Sequence, residues 1–160
     1  MNLSDEVIIP VPRQKVWEGL NDPDVLKQCI PGCEEIIKHS DTEMEARVTI
    51  KMGPVKATFK GAVTLSELDP PNSYRISGEG KSMMGGATGG ANVKLEDVPE
   101  GTKLSYDVDA QVTGKIASLA QRFIEPTARQ LSGQFFETFA EVVSGGGMPK
   151  DEGKKAKKKK

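Results

Sequence analysis

GKIASLAQRFIEPTARQLSGQFFETFAEVV, residues 114–143, is a long helical pattern. Its members Ile116, Leu119, Ala120, Phe123, Thr127, Leu131, Phe135, Phe139 and Val142 fall three or four apart, so such a helix can bury one stripe along much of its length. Pro126 lies inside the pattern and predicts a kink or a division in two. Gly133 lowers helix propensity by about 1 kcal/mol relative to alanine. A helix with these weak points can bend to follow a curved sheet.

Working back from that helix, the period changes to two. Leu104, Tyr106, Val108, Ala110 and Val112 alternate with polar residues, as do Ala87, Gly89, Ala91, Val93 and Leu95, and before them Tyr74, Ile76, Gly78 and Gly80. Val55, Ala57, Phe59, Gly61, Val63 and Leu65 form a further strand, separated by the Gly53-Pro54 turn from Met44, Ala46, Val48, Ile50 and Met52. With short strands at Leu3 to Ile9 and Glu35 to His39, about seven strands are expected in one antiparallel sheet. Two short helices sit between the first strand and the rest. One opens at Pro12 and runs to Leu20; the other starts at Asp22-Pro23 and stops near Ile30, before Pro31-Gly32. The fold class is therefore α+β, with the long C-terminal helix laid across the sheet.

The inward residues of two adjacent strands include Gly78, Gly80, Ala87, Gly89 and Ala91. Small side chains under a long helix leave apolar space, which is the character of a ligand site. The alternative is that these glycines only allow the sheet to coil or the helix to pack directly on it. Met52, Met83 and Met84 offer flexible thioethers suited to an irregular pocket, although methionine more often fills plain core. Periodicity nominates Phe59, Met83, Met84, Tyr106, Leu119 and Phe123 for the wall of a hydrophobic cavity.

At 160 residues the chain suits one domain, residues 1–143, followed by a tail, 144–160. No apolar stretch approaches the roughly 18 residues needed to span a bilayer, and the first residues do not show the basic-then-apolar pattern of a secretory signal, so a cytoplasmic address is expected. The net charge of −1 conceals an asymmetry. Seven lysines against two acids in residues 150–160 give that segment +5, leaving −6 on residues 1–149. The Gly145-Gly146-Gly147 run predicts a flexible linker to a disordered basic tail. Lys154, Lys155, Lys157, Lys158, Lys159 and Lys160 are the candidate contacts to anionic lipid, at about 1 kcal/mol each near the surface. Nucleic acid is disfavoured because the acidic body would repel its backbone and no aromatic platform accompanies the lysines.

Several apparent chemical motifs do not complete. Gly80-Lys81-Ser82 looks like the end of a phosphate-binding loop, but position 75 is Arg75 rather than the required glycine, and Met83-Met84-Gly85-Gly86 cannot open the needed helix. Cys29, Cys33 and the single His39 are too few for a four-ligand structural zinc site, and a reducing cytoplasm disfavours a disulfide. His39, beside Ser40-Asp41, reads as an exposed turn residue rather than a catalytic base. Tyr74, Tyr106 and Arg122 are the side chains a cyclase or hydrolase of this architecture could recruit, and nothing in the pattern selects them.

The run Asn21-Asp22-Pro23-Asp24-Val25-Leu26-Lys27-Gln28-Cys29-Ile30-Pro31-Gly32-Cys33 resembles the early signature of the carbon monoxide dehydrogenase G-subunit family. Gly53-Pro54-Val55-Lys56-Ala57-Thr58-Phe59-Lys60-Gly61 and Gly114-Lys115-Ile116-Ala117 are similar to two further segments of it. The likeness extends over residues 3 to 140. It implies the helix-grip fold of the lipid-transfer-like and polyketide-cyclase-like (START-like, SRPBCC) superfamily, with a cavity under the long helix. It further implies a non-enzymatic accessory protein that holds an isoprenoid quinone or another lipid-like molecule. That protein would link a molybdenum-containing, carbon monoxide dehydrogenase-type oxidoreductase to the inner face of the cell membrane. Members of the family often carry a longer C-terminal extension; here the lysine run stands in that place. Two alternatives remain open, an adaptor whose cavity is only core and an enzyme of the same fold.

Overall fold

The computed structural model describes residues 1–145. Seven antiparallel strands form one curved sheet: β1 (Asn2–Ile9), β2 (Cys33–Lys38), β3 (Glu43–Met52), β4 (Val55–Asp69), β5 (Ser73–Ser82), β6 (Gly85–Val98) and β7 (Gly101–Val112). Their order in space is β1-β7-β6-β5-β4-β3-β2, so every neighbour except the β1–β7 pair is also a neighbour in sequence. Helices α1 (Arg13–Leu20) and α2 (Pro23–Cys29) make the crossover from one edge of the sheet to the other, and α3 (Lys115–Ser144) lies across it. This is the α+β arrangement expected from the alternation of periods, and the helix-grip fold that the family resemblance implies.

Local chemistry sets the boundaries. The Asp22 carboxylate accepts a hydrogen bond from the Asp24 backbone N–H at 2.9 Å, and Pro23 occupies the first turn of α2, where no intrahelical donor is needed. The β3–β4 hairpin turns on Gly53, whose φ of +59° is the left-handed conformation that glycine adopts without a side-chain clash. The β5–β6 turn is closed by Ser82, whose hydroxyl donates to the Gly85 carbonyl at 2.9 Å and accepts from the Met84 N–H at 3.1 Å. Ser82 therefore closes a hairpin where a phosphate-binding loop would use it on a ligand.

Two packed clusters fill the ends of the space between sheet and helix. In the first, Phe139 of α3, Ile9, Val16 and Leu104 are fully buried, with Leu20 and Cys29 beside them. Trp17 stands edge-on to Tyr74 at 5.3 Å, and Phe135 stacks on Phe139 at 5.7 Å. The buried Thr102 hydroxyl is satisfied by donating to the Val11 carbonyl at 2.7 Å. The second cluster joins Met52, Val55, Ala57 and Phe59 to Ile116 and Ala120 at the start of α3.

One expectation is narrowed. Helix α3 is continuous through Pro126 and is not divided in two. The carbonyl that the missing N–H leaves unpaired belongs to Arg122, and both residues are at exposed positions where water can serve it. The helix ends at Ser144. The six tail lysines, Lys154, Lys155 and Lys157 to Lys160, lie outside the described residues.

Candidate functional site

Between the two clusters an open space separates part of α3 from the sheet. A cavity with two adjoining lobes, of about 490 Å³ and about 330 Å³, lies there, and the lobes share walls at Ile30, Val48, Ile76 and Leu131. Either volume falls in the range of small-molecule sites. The larger lobe sits over Gly78, Gly80 and Gly89, with Phe59 at one side and Ile124, Thr127 and Leu131 of α3 above. The smaller lobe lies beside Tyr74, Tyr106, Phe135 and Phe136.

The glycines divide between the two readings open from the sequence. A Cβ added at Gly61 would lie 2.1 Å from the Glu79 carbonyl, and one at Gly89 would lie 2.8 Å from the Asp109 carbonyl, so these two serve close packing of neighbouring strands. At Gly78 the nearest atom would be 3.4 Å away and belongs to the sheet, and no atom of α3 lies within 4 Å. Helix packing therefore does not explain Gly78. Its missing side chain contributes volume to the larger lobe.

Of the residues nominated from periodicity, Phe59 lines the larger lobe and Tyr106 the smaller one. Met84 and Phe123 pack instead against the second cluster, with the Phe123 ring lying under Gly53 at the β3–β4 turn. Leu119 and Met83 are corrections: Leu119 is 55% exposed on the outer side of α3, and Met83 is 104% exposed at the tip of the β5–β6 turn. The buried line of α3 runs Ile116, Ala120, Ile124, Thr127, Leu131, Phe135, Phe139. It starts with a step of four from Ile116 to Ala120, which carries it away from Leu119. Ile124, Ala128, Ser132 and Phe136, which also meet the cavity, were not among the nominated residues. Each stands next to a member of the helical stripe, so a wider stripe was the available signal.

The electrostatics of the walls are quiet. Burial holds the Tyr74 phenol well above its usual range. Burial also raises Tyr106, assisted by the negative charge of Asp5 and opposed by the Ser132 hydroxyl and the Arg129 guanidinium. Both phenols are neutral hydrogen-bonding groups at neutral pH. Burial pushes the Cys29 thiol up to about 12, and it raises Cys33 as well, so neither is an activated thiolate. His39 sits at an exposed turn, 3.5 Å from Glu45. Among the described residues no cluster of acids, histidines and cysteines is arranged to hold a metal ion, and no helix is long and apolar enough to cross a membrane. Tyr106 stacks on Phe136 at 5.1 Å, and beyond that pair lies a polar recess of about 360 Å³ bordered by Asp5, Glu6, Arg129 and Glu137.

Solved structures share this architecture. A conserved protein from Geobacillus kaustophilus superposes with a TM-score of 0.83 at 24% identity, covering 90% of this chain and 95% of that one. The Zhui aromatase/cyclase from Streptomyces sp. R1128 gives 0.64 at 15% identity, covering 89% and 93%, and Ara h 8.0201 gives 0.62 at 17%, covering 89% and 97%. At these identities the likeness establishes the fold. No curated protein matches the chain. The family model for the carbon monoxide dehydrogenase G-subunit (CoxG) matches residues 6–144, nearly all of the folded region, and the chain belongs to that family.

Proposed function

We propose that the protein is a non-enzymatic accessory subunit that holds a hydrophobic ligand, an isoprenoid quinone or a similar lipid-like molecule, in the cavity between sheet and α3. In this reading it links a molybdenum-containing oxidoreductase of the carbon monoxide dehydrogenase type to the inner face of the cell membrane. The observation that carries the reading is the two-lobed apolar cavity, whose larger lobe of about 490 Å³ is floored by Gly78 and Gly80. Burying a ring and the first isoprene units there would remove apolar surface from water, and Thr127, Ser132 and Tyr106 on the walls carry the hydroxyls that a carbonyl oxygen would meet. Family membership supports the oxidoreductase partner. The lysine-rich tail supports a weak, salt-sensitive hold on anionic lipid.

A cyclase of the same fold is less well supported. Among the described residues, the titratable side chains that reach the enclosed walls are Tyr74 and Tyr106, both held protonated, while Glu79 borders the rim at an exposed position. General acid–base work calls for a group poised near the working pH.

The test is native mass spectrometry of the purified protein, organic extraction of what it carries, and uptake of a short-chain quinone. Stoichiometric quinone in the parent, lost in Leu131→Arg and retained in Leu119→Arg, is the expected result. An empty protein that takes up no quinone would overturn the reading.

A further inference from the structure

The charges of this chain are sorted by position. Residues 48–66, 80–93 and 110–124 contain no Asp or Glu. They do contain Lys51, Lys56, Lys60, Lys81, Lys115 and Arg122, all at exposed positions. Residues 1–149 carry −6 while including these six positive charges, so everything else in that span carries −12.

The fold gathers the six cations at one end. Lys51 faces Lys56 across the β3–β4 turn, and Lys60 faces Lys81 between β4 and β5, where Lys81 is the last residue but one of β5 before the β5–β6 turn. The start of α3 is tied to that same turn, because the Ile116 N–H donates to the Met84 carbonyl at 2.9 Å and the Thr113 N–H donates to the Gly86 carbonyl at 2.8 Å. The β3–β4 turn meets α3 at Phe123, over which the Arg122 guanidinium lies at 5.2 Å. Among the described residues none of the six forms a salt bridge. At the opposite end, the β2–β3, β4–β5 and β6–β7 turns carry Asp41, Asp69 and Glu100, with Glu43, Glu67 and Asp97 beside them.

Within this basic end stand the two most exposed large apolar side chains, Met83 at 104% and Leu119 at 55%. Met84 turns inward and joins the second cluster while Met83 projects. The larger lobe of the cavity reaches this end, since Met52, Ala87 and Val112 line it and each lies within two residues of one of the three junctions.

We propose that this end of the folded domain, and not only the lysine tail, is a docking surface for an anionic lipid bilayer, with Met83 and Leu119 inserted among the headgroups and the six cations of the same end facing the lipid charge. The opposite charge of the lipid surface complements the patch and orients the acidic remainder of the domain away from the membrane. A protein partner fits less well. A stable protein interface needs about 800 Å² from each side, built around an apolar centre. Here two projecting side chains, at an end that also carries six cations, offer a small contact that a fluid headgroup layer can mould around. The same contact brings the end that the larger lobe reaches to the bilayer, which would shorten the path of a lipid-soluble ligand through water. This part of the inference rests on the carrier reading above.

The experiment is co-sedimentation of the full chain with vesicles of phosphatidylcholine, with and without phosphatidylglycerol, at low salt. Four forms are compared: the parent, Lys81→Glu/Arg122→Glu, Met83→Asp, and a chain whose Lys154, Lys155 and Lys157 to Lys160 are changed to Gln. The double reversal should weaken binding to the anionic vesicles by at least about tenfold even with the tail intact. Met83→Asp should weaken it several-fold, with Met83→Leu restoring it. Quinone uptake in vesicle-free solution is measured on each form and should be unchanged in the end-patch variants, which also shows that they fold. Full vesicle binding by the double reversal, or its complete loss with the tail lysines alone, would overturn the docking surface and leave the carrier reading intact. Loss of oxidoreductase binding in the double reversal with vesicle binding unchanged would also overturn it, assigning the patch to an acidic protein. Vesicle binding as expected without quinone uptake by the parent would sustain the docking surface and remove the carrier reading.

Discussion

The two stretches of α3 that meet the sheet do so differently. Around Phe139 the helix is packed to full burial by Ile9, Val16 and Leu104, with α1 and α2 closing the end. Around Thr127 and Leu131 it spans a gap floored by Gly78, Gly80 and Gly89. One helix, with apolar residues at the same spacing throughout, is core at one stretch and roof at the other. What differs is the partner surface: large side chains rise from the strands at one place and glycines at the other. Stability should therefore concentrate at the filled end and binding capacity at the empty middle.

That contrast breaks most visibly at Phe139. Phe139→Ala should lower unfolding free energy by about 3–5 kcal/mol in a urea titration, because a fully buried ring leaves a cavity that α1 and the strands cannot collapse into. A cost below about 1 kcal/mol would mean that the end is not the packed core described here. Next in size is Gly61→Ala, whose new methyl would press on the Glu79 carbonyl and should cost about 1–3 kcal/mol.

Cys29 gives a pH signature of the filled end. Its native value, raised by burial from an ordinary 9.0 to about 12, means that the thiol ionises more readily in the unfolded chain. Its contribution is fully present below pH 9.0 and is progressively lost as pH climbs from there toward about 12, by up to about 1.4 kcal/mol per pH unit. Urea titrations of the parent and Cys29→Ala across that window should differ in slope; parallel curves would show that the thiol is not sequestered.

The smallest stability effect sharpens the comparison most. Gly78→Ala should change stability by no more than about 0.5 kcal/mol, since the added methyl meets nothing closer than 3.4 Å. Yet it should reduce quinone uptake, because the methyl intrudes on the larger lobe. If Gly78→Ala destabilised as much as Gly61→Ala, the space above Gly78 would be packed rather than open.

Much of this arrangement is legible in residue order. The period-two runs with their Gly-Pro, Pro-Pro-Asn and Glu-Gly breaks locate five strands within a few residues, the short runs at Leu3 to Ile9 and Glu35 to His39 locate the other two, and the Asp22-Pro23 and Pro31-Gly32 pairs bracket α2. The glycines on β5 and β6 point to the space between the layers. Leu119 and Met83 show where the legibility stops. Leu119 has the right spacing from Ile116, but the buried line leaves Ile116 by a step of four, to Ala120, which packs with Ile116 against Met52, Val55, Ala57 and Phe59 of β3 and β4. Met83 and Met84 are identical neighbours at a turn, and only the closed geometry held by Ser82 sends one inward and the other out.

Residue order by itself determined the elements, their faces and the polarity of the tail, because hydrophobic period, proline and glycine act through the chain's own neighbours. Tertiary structure alone decided which part of α3 is core and which is roof, and which glycines are close packing and which are empty space. It alone brought six separate cations to one end of the domain. Those outcomes depend on contacts between residues tens of positions apart, and a cavity or a patch is a property of facing surfaces rather than of any one segment.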